Sequence, residues 1–236
     1  MTEFLLALPY GEAISYQLER TKRRTVGLKI SATGLVIHAP KRISHTQLES
    51  LLLPKVDWIR KKLAAQQANK IEAIQWQNGE HLLLLGNDIS LEVKQDTRNK
   101  ALTFEAGVLT VAQTNTNDTA TIQRKVVQWY QKHALADFAR RLAILSAKLG
   151  VPTPQLFLSN AKSRWGSCNS RKQVRLNWRL MLAPPHVINY VICHELAHLK
   201  EMNHSTKFWA VVGSIYPDYK QAEIDLKVWS PQLHRL

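Results

Sequence analysis

The sequence lacks several features that would assign it to a major protein class at once. None of its apolar runs reaches the 18 residues of a transmembrane helix, so we expect no membrane span. It has only two cysteines in 236 residues, Cys168 and Cys193, and they form no C-x-x-C pair. Such sparse cysteine use excludes a disulfide-rich secreted scaffold and predicts a reduced, cytoplasmic protein.

Several familiar sequence patterns are also missing. The chain has no glycine-rich phosphate-binding loop, no helix-turn-helix or zinc-finger spacing, no internal repeat and no low-complexity tract. We therefore expect no P-loop nucleotide site, and any binding to nucleic acid should be non-specific.

Acidic residues are scarce compared with basic ones. The chain has 18 Asp and Glu against 32 Lys and Arg, which gives a formal net charge of +14. The excess is concentrated in residues 121–236, which carry 17 basic and 6 acidic side chains, whereas residues 76–120 carry 3 and 6. An excess of this size predicts an anionic partner: nucleic acid bound non-specifically, an anionic surface or an acidic substrate.

The hydrophobic pattern predicts an α+β protein of two parts. Residues 1–117 contain short alternating segments and one helix, and we predict a β-rich N-terminal unit there. The helix begins at Ser44 with a capping-box pattern and contains Pro54, which should kink or split it. Residues 118–236 form the predicted second domain.

Two helices dominate the predicted second domain. A long helix is capped by Asp118 or Thr119 and ends at Gly150. A second helix begins at Pro184-Pro185 and is apolar on all sides, which predicts that it is buried.

The most informative pattern is H-E-x-x-H at residues 194–198. His194 and His198 lie one helical turn apart, so both imidazoles leave the same face of the helix. This spacing suits two ligands of one tetrahedral Zn²⁺. Glu195 follows the first ligand, where its carboxylate can act as a base toward water at the metal. The motif predicts a zinc hydrolase with Glu195 as the catalytic residue.

A third ligand is expected just after the helix. His204 follows the turn and is the first choice, with Glu201 as the alternative. Three protein ligands leave a fourth position for water, which is typical of catalytic zinc sites. The metzincin pattern has glycine at the position of Glu201, so this turn must be built differently. We predict that Asn203 takes the left-handed conformation there.

Three segments resemble the YgjP-like zinc metallopeptidases, which are relatives of the SprT-like (Spartan) and WLM-type proteases. They are Ser-Arg-Trp-Gly-Ser-Cys at 163–168, Leu-Asn-Trp-Arg-Leu-Met-Leu-Ala-Pro at 176–184, and residues 190–209, which contain the H-E-x-x-H motif. The resemblance extends over residues 120–230 and, more loosely, over 40–63.

The resemblance implies an α+β, zincin-like fold of the minimal gluzincin type, with the active-site helix under a small β-sheet. It also implies one Zn²⁺ held by His194, His198 and His204, with Glu195 as the general base. By analogy with zincins, one strand of the sheet would pair with an extended substrate by β-addition.

Three polar residues near these motifs are predicted to contact substrate. Arg164 and Ser167 belong to the first resembling segment. Tyr190 lies four residues before His194, about 40° away around the helix. Each also has a structural alternative, in a tight turn for the first two and in the core for the tyrosine.

Three functions are open at this point. The first is a zinc-dependent endopeptidase acting on protein or peptide substrates. The second is a zinc hydrolase of a different bond, such as a nucleotide phosphoanhydride, with the basic half of the chain holding phosphates. The third is a SprT-like protease associated with DNA through non-specific, salt-sensitive phosphate contacts.

Overall fold

The computed structural model describes residues 3–8, 11–31, 33–68, 72–97 and 102–236. The chain forms two compact units, Met1–Lys70 and Ile71–Leu236. None of the helices in these described ranges is long and apolar enough to cross a bilayer.

The first unit contains a four-stranded sheet and two helices. The strands are β1 (Glu3–Ala7), β2 (Ala13–Thr21), β3 (Gly27–Ser31) and β4 (Gly34–Pro40), in the order β1-β2-β4-β3. Strands β2 and β4 run parallel, and the other two pairs are antiparallel. Helices α1 (His45–Leu52) and α2 (Val56–Ala68) are separated by a 3-10 turn at Leu53–Lys55.

The start and the interruption of this helical segment confirm the predictions made for it. The Ser44 hydroxyl accepts a hydrogen bond from the Gln47 N–H, and the Gln47 side chain accepts one from the Ser44 N–H. Pro54 lies in the 3-10 turn, because proline lacks the N–H that a continuous helix would need. The two helices share a core with the sheet, formed by Leu6, Tyr16, Ile37, Leu48, Leu52 and Ile59.

The second unit begins with another four-stranded sheet, followed by a long helix. Its strands are β5 (His81–Leu84), β6 (Asn87–Gln95), β7 (Thr103–Glu105) and β8 (Val108–Gln113), in the order β5-β6-β8-β7. Asp118 caps α3 (Thr119–Leu149) by accepting the Thr121 N–H at 3.0 Å. Gly150 ends α3 at φ +71°, a left-handed conformation that glycine adopts without steric cost. Both ends agree with the prediction.

The division between the compact units differs from the predicted boundary after residue 117. It falls after Lys70, because the sheet β5–β8 packs on α3. Tyr130 of α3 is fully buried, and its hydroxyl donates to the Leu83 carbonyl at 2.7 Å. This sheet therefore belongs to the unit of the helix that follows it.

A three-stranded sheet and three further helices complete the second unit. The strands are β9 (Gln155–Ser159), β10 (Gly166–Cys168) and β11 (Gln173–Asn177), in the order β10-β11-β9. Strand β11 pairs parallel with β9 and antiparallel with β10. The helices are α4 (Pro185–Ala197), α5 (Thr206–Ile215) and α6 (Tyr219–Leu233).

Helix α4 carries the H-E-x-x-H motif and lies in the middle of this unit. Most of its residues are buried, and it packs against α3, α5, α6 and strands β10 and β11. The α+β class is confirmed, and so is the predicted position of the buried motif helix beside a small sheet.

Candidate metal centre

Three histidines converge at the end of α4. His194 and His198 leave α4 one turn apart, with ring centroids separated by 5.2 Å. The chain then turns back and places the His204 ring 4.9 Å and 4.8 Å from these two rings. One nitrogen from each imidazole lies within 4.8 Å of the others, and the Nε2 atoms of His194 and His204 are 3.0 Å apart. The cluster can therefore hold one small cation.

The turn after α4 explains how the third histidine returns. Asn203 does not take the predicted left-handed conformation, since it is not among the described residues with positive φ. Instead, its side-chain oxygen accepts a hydrogen bond from the Ser205 N–H at 3.1 Å. The side chain thus supplies a local turn that left-handed backbone would otherwise have to provide.

Glu201, the alternative third ligand, contributes to this site through its backbone rather than its carboxylate. Its backbone carbonyl lies 3.1 Å from Nδ1 of His198. When Nδ1–H donates this hydrogen bond, the Nε2 lone pair of His198 is left for a metal. Within the described chain, the cluster contains the three histidines and no carboxylate.

Burial sets the protonation states of the site. Burial, together with the smaller effects of the neighbouring His198 and His204, lowers the pKa of His194 to about 4. Burial also lowers the pKa of His198. These rings are therefore neutral at pH 7, which is the form that binds a metal.

Glu195 is shifted in the opposite direction. Burial raises the pKa of its carboxyl group to about 8, and the nearby positive charge of Arg164 only partly opposes this. Its Oε2 atom is buried without a hydrogen-bond partner in the described structure. A divalent cation nearby would favour the ionised form. Neutral imidazoles beside an unpartnered carboxylate fit a zinc site with room for water.

A phenylalanine supports all three imidazoles. Phe208 of α5 is fully buried, and its ring centroid lies 4.9, 4.7 and 4.7 Å from those of His194, His198 and His204. No motif in the sequence marks Phe208 as part of the site. Its spacing of four residues from His204 was the available signal.

Strand β10 passes directly beside Glu195. A Cβ added at Gly166 would lie 2.7 Å from Cγ and 2.8 Å from Cδ of Glu195. Only glycine allows the carboxylate to lie against the strand backbone at this distance. The sequence alone does not identify Glu195 as the neighbour of Gly166, because the two residues lie in different segments.

The predicted substrate residues occupy different positions around this strand. Tyr190 is buried and lines a cavity of about 190 Å³, together with Trp165, Gly166, Val191, His194, Glu195 and Leu226. Arg164 is exposed in the loop before β10. Ser167 pairs with Arg175 of β11, and its side chain points to the face opposite that of Gly166, since strand residues alternate.

The loop before β10 is attached to the C-terminal helix. Trp165 donates its indole N–H to the Ser230 hydroxyl at 2.9 Å, and its ring stacks on His234 with centroids 4.6 Å apart. Leu226 from the same helix closes the cavity beside Glu195. Helix α6 therefore forms one wall of the site, which the sequence pattern did not reveal.

Comparison with known families identifies the chain. The family model described as YgjP-like, metallopeptidase domain matches residues 24–228. The chain belongs to the YgjP-like metallopeptidase family. The resemblance seen in its sequence is therefore confirmed.

Individual relatives are more distant. Over 96 residues the chain is 29% identical to a UTP pyrophosphatase of Escherichia coli (strain K12). This match covers 41% of the chain and 54% of the relative, so the chain spans only about half of that curated relative's length.

Two solved structures show a weaker likeness. They are the metallopeptidase zymogens of Pyrococcus abyssi abylysin and Methanocaldococcus jannaschii jannalysin, with TM-scores of 0.37 and 0.34. Each is 23% identical to the chain and is matched over 39% of the chain and 92% of its own length. A likeness at these scores assigns neither fold nor function.

Proposed function

We propose that this protein is a zinc-dependent metallopeptidase of zincin-like, minimal gluzincin type. His194, His198 and His204 hold one Zn²⁺, and Glu195 is the general base. The predicted domain of residues 118–236 is the catalytic domain in this proposal, because it contains all of these residues. A cytoplasmic location is part of it, since Cys168 and Cys193 are both free thiols.

The observation that carries the peptidase proposal is the position of β10. The strand is at the edge of its sheet, with β11 on one side and no other strand of the described chain on the other. It also lies against Glu195 at Gly166. An extended peptide that pairs with this free edge would bring its backbone past the base, which is how β-addition positions a substrate.

Two residues of the chain then act on the substrate. A zinc ion held by the three histidines would supply Lewis acidity toward the substrate carbonyl and the attacking water. Glu195 takes the proton from the attacking water and gives it to the leaving amine nitrogen. Burial raises the pKa of Tyr190, so its hydroxyl stays protonated and can donate a hydrogen bond to the developing oxyanion.

The test is the variant Glu195→Gln assayed on an unfolded protein substrate, with metal analysis of the same sample. We expect the zinc content to be unchanged and cleavage to fall by about 10² to 10⁴-fold, the usual contribution of a general base. Glu201→Gln is the matched control, because this carboxylate lies outside the histidine cluster. Cleavage by Glu195→Gln at the wild-type rate would rule out Glu195 as the general base.

Hydrolysis of a nucleoside triphosphate is the second candidate function, favoured by the similarity to a UTP pyrophosphatase. The same metal centre and base would serve, with water attacking phosphorus instead of a carbonyl carbon. A side-by-side assay of UTP and unfolded protein, each with wild type and Glu195→Gln, separates the two. The true substrate is the one whose turnover is fast in wild type and lost in the variant.

A further inference from the structure

The sheet beside the metal centre belongs to a segment without carboxylates. Residues 138–194 contain nine Lys and Arg and no Asp or Glu. At the composition of the whole chain, about four acidic residues would fall in a segment of this length. Strands β9, β10 and β11 all lie within it, and Glu195 is the first carboxylate after it.

Most of the cations in this segment have structural partners. Arg141 pairs with Asp137 and also donates to Asn189 at 2.8 Å. Arg140 forms an ion pair with Asp137, and Lys148 donates a hydrogen bond to the Ile215 carbonyl. Arg175 lies over the Phe157 ring, and Arg179 donates to the Asn160 side chain and the Leu236 carbonyl.

Lys162 and Arg164 differ from these residues. Both are exposed in the loop that leads into β10. Throughout the described ranges, neither side chain forms an ion pair or donates a hydrogen bond. Two uncompensated cations in one short loop are available to an anionic ligand.

This loop is held at the mouth of the catalytic cavity. Trp165, next to Arg164, lines the cavity and is fixed by Ser230 and His234. Gly166, two residues after Arg164, touches Glu195. The two charges of the loop also lie close enough to these residues to affect their ionisation. The positive charge of Arg164 lowers the pKa of Glu195, and that of Lys162 lowers the pKa of His234.

We propose that Lys162 and Arg164 bind the phosphate chain of a nucleoside triphosphate whose α,β-phosphoanhydride bond is hydrolysed at Glu195. The inference rests on the second candidate function. A bond forms between the water oxygen and phosphorus, and the bond from that phosphorus to the bridging oxygen breaks. The bridging oxygen leaves with the departing phosphate group, and the water proton passes to Glu195 and then to solvent.

The other two free cations of the sheet provide a matched control. Arg171 and Lys172 lie in the turn between β10 and β11, at the far end of the strand. Four residues of extended chain separate Arg164 from Cys168, which is about 13 Å. The double variant Arg171→Gln/Lys172→Gln therefore removes the same charge as Lys162→Gln/Arg164→Gln, but away from the cavity.

The experiment uses the full zinc-loaded chain and measures two quantities. The first is the Kd for the non-hydrolysable analogue α,β-methylene-UTP by titration calorimetry, and the second is kcat/KM for UTP. We expect Lys162→Gln/Arg164→Gln to raise the Kd about 10- to 100-fold, as loss of charge-assisted contacts does. The control should stay within about twofold. Equal Tm and zinc content show that each variant is folded.

Each other outcome overturns the inference in a distinct way. Equal losses in the two double variants, with strong competition by a single-stranded oligonucleotide, would assign an extended nucleic-acid surface instead. Wild-type turnover of UTP with an unchanged Kd in Lys162→Gln/Arg164→Gln would refute the residues but keep the second candidate function. If the wild type neither hydrolyses UTP nor binds the analogue, while Glu195-dependent proteolysis is intact, the inference and the second candidate function are both refuted. The peptidase proposal then remains.

Discussion

The substitution Gly166→Ala is predicted to impair catalysis without removing the metal. The added Cβ would lie 2.7 Å and 2.8 Å from two carbons of Glu195, whereas relaxed carbon contacts are about 3.5–4.0 Å. The carboxylate or the strand must therefore move by about 1 Å. Gly166 has no positive φ, so alanine fits the backbone and the effect is purely steric.

The magnitude follows from where the displacement acts. Glu195 is only 5% exposed, so it cannot swing freely into solvent. A misplacement of about 1 Å at a catalytic group costs about 10²-fold in rate, and overpacking costs about 1–3 kcal/mol of stability. The three histidines are not touched, so we expect zinc affinity to stay within about twofold, because the coordinating shell is intact.

The assay combines kcat/KM on the substrate turned over by wild type, zinc content and the Tm of unfolding. Gly213→Ala in α5 is the control, because its added Cβ would meet only the Tyr219 ring at an ordinary 3.6 Å. The control should keep wild-type activity. Gly166→Ala with unchanged kcat/KM would refute the argument that contact with β10 positions Glu195.

Two further predictions concern the metal and the proton. Phe208→Leu should raise the Kd for zinc about 10-fold in a chelator competition, because the support beneath three imidazoles is lost. Phe157→Leu, in β9, should not; an equal loss there would point to general destabilisation. Zinc binding at pH 7 should release about one proton, since burial keeps Glu195 protonated up to a pKa of about 8 while His194, at about 4, is already neutral. Calorimetry in buffers of different ionisation enthalpy measures this proton release, which should fade above pH 8 and be absent in Glu195→Gln. Proton release that persists in the variant would contradict the assignment of Glu195 as its source.

The parts of the site that the sequence predicts are those set by local geometry. The spacing of His194 and His198 follows from the helical period, and the apolar surroundings of the motif predict a buried helix. Two helix ends outside the site are predicted by local signals in the same way: Gly150 ends one helix, and Ser44 caps the start of another. The conformation of Asn203 was predicted wrongly, because a side-chain hydrogen bond to Ser205 can replace left-handed backbone.

The parts that the sequence does not predict depend on contacts between distant segments. Gly166 meets Glu195 only because β10 pairs with β11 and the sheet packs on α4. The boundary at Lys70 depends on whether the sheet β5–β8 packs on the helix after it, and Tyr130 decides this through the Leu83 carbonyl. No periodicity within either segment encodes such a choice.

Glu195 is the point where the supports of the site meet. Strand β10 limits it on one side, α5 fixes the neighbouring imidazoles through Phe208, and α6 holds the loop at Trp165. Yet none of these elements satisfies its Oε2 atom. An unpaired buried acceptor costs about 1–3 kcal/mol, which a structure retains where function requires it. The packing thus holds the carboxylate in place while leaving its Oε2 atom unpaired, which is the arrangement that the proposed role of a general base requires whichever bond is cut.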